Sequence, residues 1–217
     1  MKHEKSDLQH ETGLVVSEDG RTCCYWQPLM PDYHDNEWGR PVTDDRLIFE
    51  KVCLESFHSG MSWHMIYNKR ENFRRAFADF DIQTVARFDD SDVARLMVDK
   101  SIVRNRAKIL SAINNAQRAQ EMIAEAGSLA AWFWQFEPKP ASRPEVVDIS
   151  YWQANNTSPE AEAMSKALKK RGWSWVGPVT VYALMQALGL VNDHFTGCAC
   201  RQACEALRSQ LKRPGQA

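Results

Sequence analysis

The chain has 217 residues, 44% hydrophobic and 25% charged, enough to bury one good core and too apolar for a disordered polymer. Against 28 Asp and Glu stand 27 Lys and Arg, for a formal charge of -1, so no molecule-wide attraction for polyanions exists and any nucleic-acid surface must be local. No apolar run approaches the ~20 residues that cross a bilayer, and the opening MKHEKSDLQHE lacks the apolar centre of a secretory signal, which predicts a cytoplasmic protein. In that reducing compartment the 6 cysteines read as metal ligands rather than as a disulfide framework.

Residues 1–22 mix charges with Gly and Ser without periodicity and predict a mobile extension ahead of one domain over 23–204, with 205–217 as a tail. The stretch from Cys23 to Pro41 is aromatic and carries three prolines, which exclude a long helix and predict an ordered loop. Thr43 then caps a helix with Asp44 and Asp45 in its first turn; Leu47, Ile48 and Val52 mark its buried stripe until Gly60 ends it. Ser62 opens a helix to about Phe77, a short one covers 91–97, a long one runs from Arg104 to about Glu125, and 128–136 add another. Three prolines among polar neighbours make 137–157 a surface connection. Ser158 with Pro159 starts a helix reaching Arg171, and Pro178 starts one ending at Gly189. Nothing alternates like a sheet, so the expected class is all-α.

Three constellations carry chemistry. His194 and Cys198 stand four apart just past a helix end, where the chain can curl around an ion, and Cys24 with His34 completes a Cys2His2 set of the closed, structural kind. On spacing alone, buried thiols with ordinary histidines remain an equally open reading, and Cys23, Cys200 and Cys204 leave the choice of thiol open. The helical period puts Glu55 on the apolar stripe three residues after Val52; it stands eight residues before Trp63, and Tyr33 offers a second flat wall. An acceptor-only carboxylate between aromatic faces suits a flat, cationic, hydrogen-bond-donating base such as an alkylated purine; an outward-facing Glu beside core aromatics is the plainer alternative. In LKKRGWSWVGPVTVYALMQALGL, Gly172 and Gly177 punctuate a hairpin between two helices. The second helix start, with Lys169, Lys170 and Arg171 nearby, suits a phosphate.

The strings YHDNEWG (33–39), CLES with GMSW (53–63), SKALKKRGWSWVG (165–177) and MQALGLVNDH with the following Cys (185–198) together strongly resemble the 3-methyladenine DNA glycosylase I family, over roughly residues 23–200. The resemblance implies a helix-hairpin-helix glycosylase fold in which a structural zinc on Cys24, His34, His194 and Cys198 joins the two ends of the domain. It implies a base pocket of Glu55, Tyr33 and Trp63, with Glu55 as the catalytic acceptor, and a hairpin that grips the phosphate backbone. It also implies a monofunctional hydrolase without an Asp or Lys catalyst, because methylation at N3 already weakens the glycosidic bond, acting as a monomer on alkylated double-stranded DNA. Departures from the family pattern are a shortened loop before Pro28, Met30 in place of a frequent Tyr, His58 and Ser59 in place of Gln-Ala, and Met61 in place of a Leu wedge. Two competitors follow from the same residues: a zinc-stapled damage reader without catalysis, and a zinc hydrolase, which four protein ligands disfavour.

Overall fold

The computed structural model describes residues 12–215. Two short strands, β1 (Leu14–Val16) and β2 (Thr22–Cys24), pair antiparallel with Leu14 opposite Cys24 and Val16 opposite Thr22. The helices are α1 (Pro31–Asn36), α2 (Asp45–His58), α3 (Trp63–Asn68), α4 (Arg70–Ala76), α5 (Ile82–Val85), α6 (Asp90–Val98), α7 (Arg106–Ala126), α8 (Leu129–Phe133), α9 (Ile149–Ala154), α10 (Pro159–Lys170), α11 (Pro178–Ala187) and α12 (Ala199–Gln210). The mostly helical expectation holds, and among the described residues no helix is long and apolar enough to cross a membrane.

The hairpin corrects the expectation of a mobile extension for residues 14–22; residues 1–11 of that extension lie outside the described residues. Strands of three residues are too short to show an alternating pattern. What orders them is tertiary packing. Gly13, at φ +68°, lies against the Phe195 ring so closely that a Cβ would approach it to 2.2 Å. The beginning of the domain is thus pressed onto its end.

Helix α2 is the central element. Its N-cap is Asp44, one residue after the expected Thr43, and the Asp44 carboxylate accepts the Leu47 N–H at 2.8 Å. From Ile48 to Phe57 nearly every side chain is buried, which leaves no polar face for a periodic pattern to reveal. Its Phe49 packs on Phe80, and its Phe57 on Phe73 and Phe77. The single helix expected from Ser62 to Phe77 is two, broken at Lys69, whose ammonium reaches across to the Ser101 carbonyl at 2.9 Å. The connection expected over 137–157 contains α9, capped by Asp148, and the aromatic loop contains α1, with Pro31 at its first position.

Helix α12 runs through residue 204, where the tail was expected to begin. Its anchor is Arg208, 2% exposed, which donates to Glu137 at 3.1 Å and to the Leu190 carbonyl at 2.9 Å. Arg213 and Arg143 converge on the same Glu137 carboxylate, Arg213 Nε at 2.6 Å and Arg143 Nη2 at 2.8 Å. Burial pushes the Glu137 carboxyl up, but hydrogen bonds from Arg213 and Arg208 outweigh it and hold the group below the usual carboxylate range. A carboxyl depressed in the folded state stabilises at neutral pH, and that contribution is lost as pH falls through the unfolded value towards the folded one. Replacing Glu137 with Gln strands the buried Arg208 guanidinium and weakens the hold on the partly buried Arg213, and a loss of about 3 kcal/mol is expected in urea unfolding at pH 7. The difference between variant and wild type should shrink below about pH 4, within the window set by the ordinary carboxylate range.

Candidate functional site

Four side chains from both ends of the chain meet in the interior. Cys24 ends β2, His34 sits in α1, and His194 and Cys198 flank the turn before α12. All four are buried, and their ligand atoms lie within 4.8 Å of one another. Cys24 Sγ and Cys198 Sγ each stand 3.7 Å from His194 Nδ1, and Cys198 Sγ is 3.7 Å from His34 Nε2. A tetrahedral zinc with bonds of about 2.3 Å to sulfur and about 2.0 Å to nitrogen requires sulfur–nitrogen separations of about 3.6 Å, so the spacing fits that ion.

The outer contacts fit it as well. His34 Nδ1 donates to the Asp35 carboxylate at 2.6 Å, which leaves Nε2 with its lone pair facing the cluster. His194 Nε2 donates to the Trp38 carbonyl at 3.1 Å, leaving Nδ1 inward. The Phe195 N–H points at Cys24 Sγ at 3.3 Å, as a thiolate would need. Thiol hydrogen bonds from Cys200 and Cys24, together with the imidazoles, hold the Cys198 thiol far below its usual range; hydrogen bonding to Cys198 and burial push Cys24 and Cys200 up. The thiols left open by spacing separate here. Cys23 contacts Ser17, Cys204 contacts the Trp38 carbonyl, and Cys200 stands beside Asp35 outside the four.

Beside this cluster lies a cavity of about 310 Å³, at the small end of ligand sites, with Glu55, Tyr33 and Trp63 among its lining residues. The structure therefore brings together the three side chains expected to share a pocket. Tyr33 and Trp63 have ring centroids 5.3 Å apart at 46°. Glu55 is 4% exposed and is the only carboxylate among the described residues lining the cavity, which also include no lysine. Burial, then the Glu55 charge, push the Tyr33 phenol well up, so it keeps its O–H.

Sequence reasoning missed several wall residues. Trp26, Trp38 and Trp152 add flat faces, and Met30, 8% exposed, occupies the wall flagged as a departure. Trp152 lay in a segment read as loop, and only the high tryptophan content hinted at it. His58 also lines the cavity, and its Nδ1 is 3.3 Å from Glu55 Oε2; facing a carboxylate, that nitrogen is the donor. A larger cavity of about 720 Å³ borders α9, α10 and α12, but the buried charged groups on its wall are already committed: Arg208 to Glu137 and Glu205, Asp193 to Tyr182 and Gln186, with Arg201 beside them bound to the Asn192 and His194 carbonyls.

The cavity and the cluster share walls. Trp26 packs on His34 at 4.7 Å and Trp38 on His194 at 4.8 Å, both edge-to-face.

At the hairpin, Gly172 adopts φ +80° and Gly177 caps α11 with no side-chain cap and open space where a Cβ would stand. Lys169 and Lys170 are exposed, and Arg171 pairs with Glu125 at 2.5 Å. Met61 is half-buried in the turn between α2 and α3. That turn is tied to α7 by Lys108, whose buried ammonium donates to the carbonyls of Phe57 at 2.9 Å and Ser59 at 2.6 Å.

Comparison with known proteins agrees with this geometry. The family model described as methyladenine glycosylase matches residues 23–202. The chain is 42% identical over 181 residues to DNA-3-methyladenine glycosylase 1 of Escherichia coli (strain K12), covering 82% of this chain and 95% of that one. It is 38% identical over 184 residues to the DNA-3-methyladenine glycosylase of Haemophilus influenzae, covering 83% and 98%. Among solved structures, a 3-methyladenine DNA glycosylase I superposes with a TM-score of 0.74 at 41% identity, covering 85% of this chain and 96% of that one. The Staphylococcus aureus 3-methyladenine DNA glycosylase I, solved to explain 3-methyladenine recognition, superposes with a TM-score of 0.74 at 32% identity, covering 80% and 92%. The chain belongs to the methyladenine glycosylase family.

Proposed function

We propose that this protein is a monofunctional DNA glycosylase that hydrolyses the N-glycosidic bond of 3-methyladenine in alkylated DNA and leaves an abasic site. The observation that carries the reading is Glu55, a lone carboxylate in an aromatic cavity. A purine methylated at N3 is a cation with a hydrogen-bond-donating amino group, and a base extruded from the helix presents that flat cation to whatever lines the cavity. Tyr33 and Trp63 stack it, and Glu55 accepts from it and lowers the potential around it.

The bond to the sugar is weak because the departing base leaves neutral, so the protein's part is to hold the base and admit water to the anomeric carbon. The absence of lysine from the described cavity residues supports direct hydrolysis rather than attack by an amine. Asp193 is 2% exposed and bound to Tyr182 and Gln186, which supports leaving it out of the catalytic set. The open start of α11, Gly172 and Gly177, with exposed Lys169 and Lys170, supports a grip on the phosphate backbone, and Met61 in its tethered turn is the side chain offered to the gap left by the base.

Cys24, His34, His194 and Cys198 would hold a structural zinc. Bound there, the ion supplies cross-linking between the ends of the domain and, with four protein ligands, keeps no position for a water. Purified protein should carry about one zinc per chain by elemental analysis. His194→Ala should lower both zinc content and melting temperature; a variant that melts like wild type but is inactive would argue instead for a catalytic metal.

Base release decides between the enzyme and the damage reader. Under single-turnover conditions, wild type should free 3-methyladenine from methylated duplex DNA, and Glu55→Gln should slow it by about 10²-fold or more with an unchanged melting curve. Equal rates for the two proteins would remove Glu55 from the mechanism; binding without release by wild type would favour the damage reader.

A further inference from the structure

Gln186, on α11, lines the aromatic cavity, although the sequence reading gave it no role. Its amide is oriented from behind. Nε2 donates to Asp193 Oδ2 at 2.8 Å, and the same oxygen takes the Tyr182 hydroxyl at 2.8 Å; Tyr182 in turn meets the Tyr151 hydroxyl at 3.4 Å. An oxygen receiving two donors acts as an acceptor whatever the state of its partner oxygen, so it fixes the Gln186 NH2 towards Asp193. The carbonyl Oε1 is then turned away from Asp193 and receives no hydrogen bond from the described residues.

Gln186 Oε1 therefore joins the Glu55 carboxylate as an acceptor among the side chains that line the cavity. The ring nitrogens N1 and N7 of 3-methyladenine accept hydrogen bonds, and its donors are the two hydrogens of the 6-amino group. Resting on the function proposed above, we infer that Gln186 Oε1 takes one 6-amino hydrogen while Glu55 takes the other, which makes Gln186 the residue that selects 6-amino over 6-oxo purines. A 6-oxo base turns a lone pair on the locked carbonyl, and the amide cannot flip to greet it without breaking its bond to Asp193. Sites built to pair a donor reject the analogue lacking it far more strongly than apolar pockets reject a methyl group.

The test uses one substrate, duplex DNA treated with dimethyl sulfate, which presents 3-methyladenine and 3-methylguanine together. Single-turnover release of the two bases is followed for wild type, Gln186→Met and Gln186→Ala, with melting curves for each. The expected result is that either folded variant releases 3-methyladenine about tenfold or more slowly while 3-methylguanine release is unchanged or faster, so that the ratio of the two collapses. A proportional loss of both, or no change in the ratio, overturns the inference. Failure of both variants to fold overturns it too, because Gln186 would then serve the fold rather than selection. Failure of wild type to release 3-methyladenine strikes the proposed function itself and is read separately.

Discussion

The contact on which the rest depends is the meeting of two thiols and two imidazoles, with His34 and Cys198 separated by 164 residues of sequence. It fixes more than the closure of the chain. The imidazoles of His34 and His194 are the surfaces on which Trp26 and Trp38 lean, and those indoles are walls of the base cavity. The Gly13–Phe195 contact and the β1–β2 hairpin brace the same junction from outside. A pocket made of large aromatic plates has little shape of its own; its geometry comes from what stands behind each plate. In the proposed reading a structural ion therefore acts on recognition through two tryptophans without touching the base.

A second constraint is electrostatic. Burying Glu55 at 4% exposure is unfavourable unless the carboxylate finds a partner, and in the absence of a base the neighbouring donor is His58 at 3.3 Å. A cationic purine offers a better partner than a neutral one, so the same burial that strains the free protein favours the damaged base. Ordinary adenine brings no charge and a stronger glycosidic bond, and the two deficits multiply.

The helices with strong local signals were legible. Ser158–Pro159 and Pro178 opened α10 and α11 where expected, because caps and first-turn prolines act through local backbone geometry. The four clustered side chains were legible as a set, although spacing could not choose among the thiols and family resemblance had to. The β1–β2 hairpin, the break at Lys69, and α9 were not. The first is too short for a pattern, the second is a single residue between two helical runs with no Pro or Gly to mark it, and the third is hidden among prolines on both sides. Glu55 was placed on the correct face by helical period, but Trp152 and Gln186 reach the cavity from elements whose approach is decided by tertiary packing. No local pattern carries that information.

The most direct test of the central claim is a crystal structure of the protein with abasic duplex DNA and 3-methyladenine. The account predicts the base in the 310 Å³ cavity, stacked on Tyr33 and Trp63 with its amino group towards Glu55. It also predicts a metal among Cys24, His34, His194 and Cys198. A base seated elsewhere, or facing Glu55 with an edge that has no donor, would contradict it.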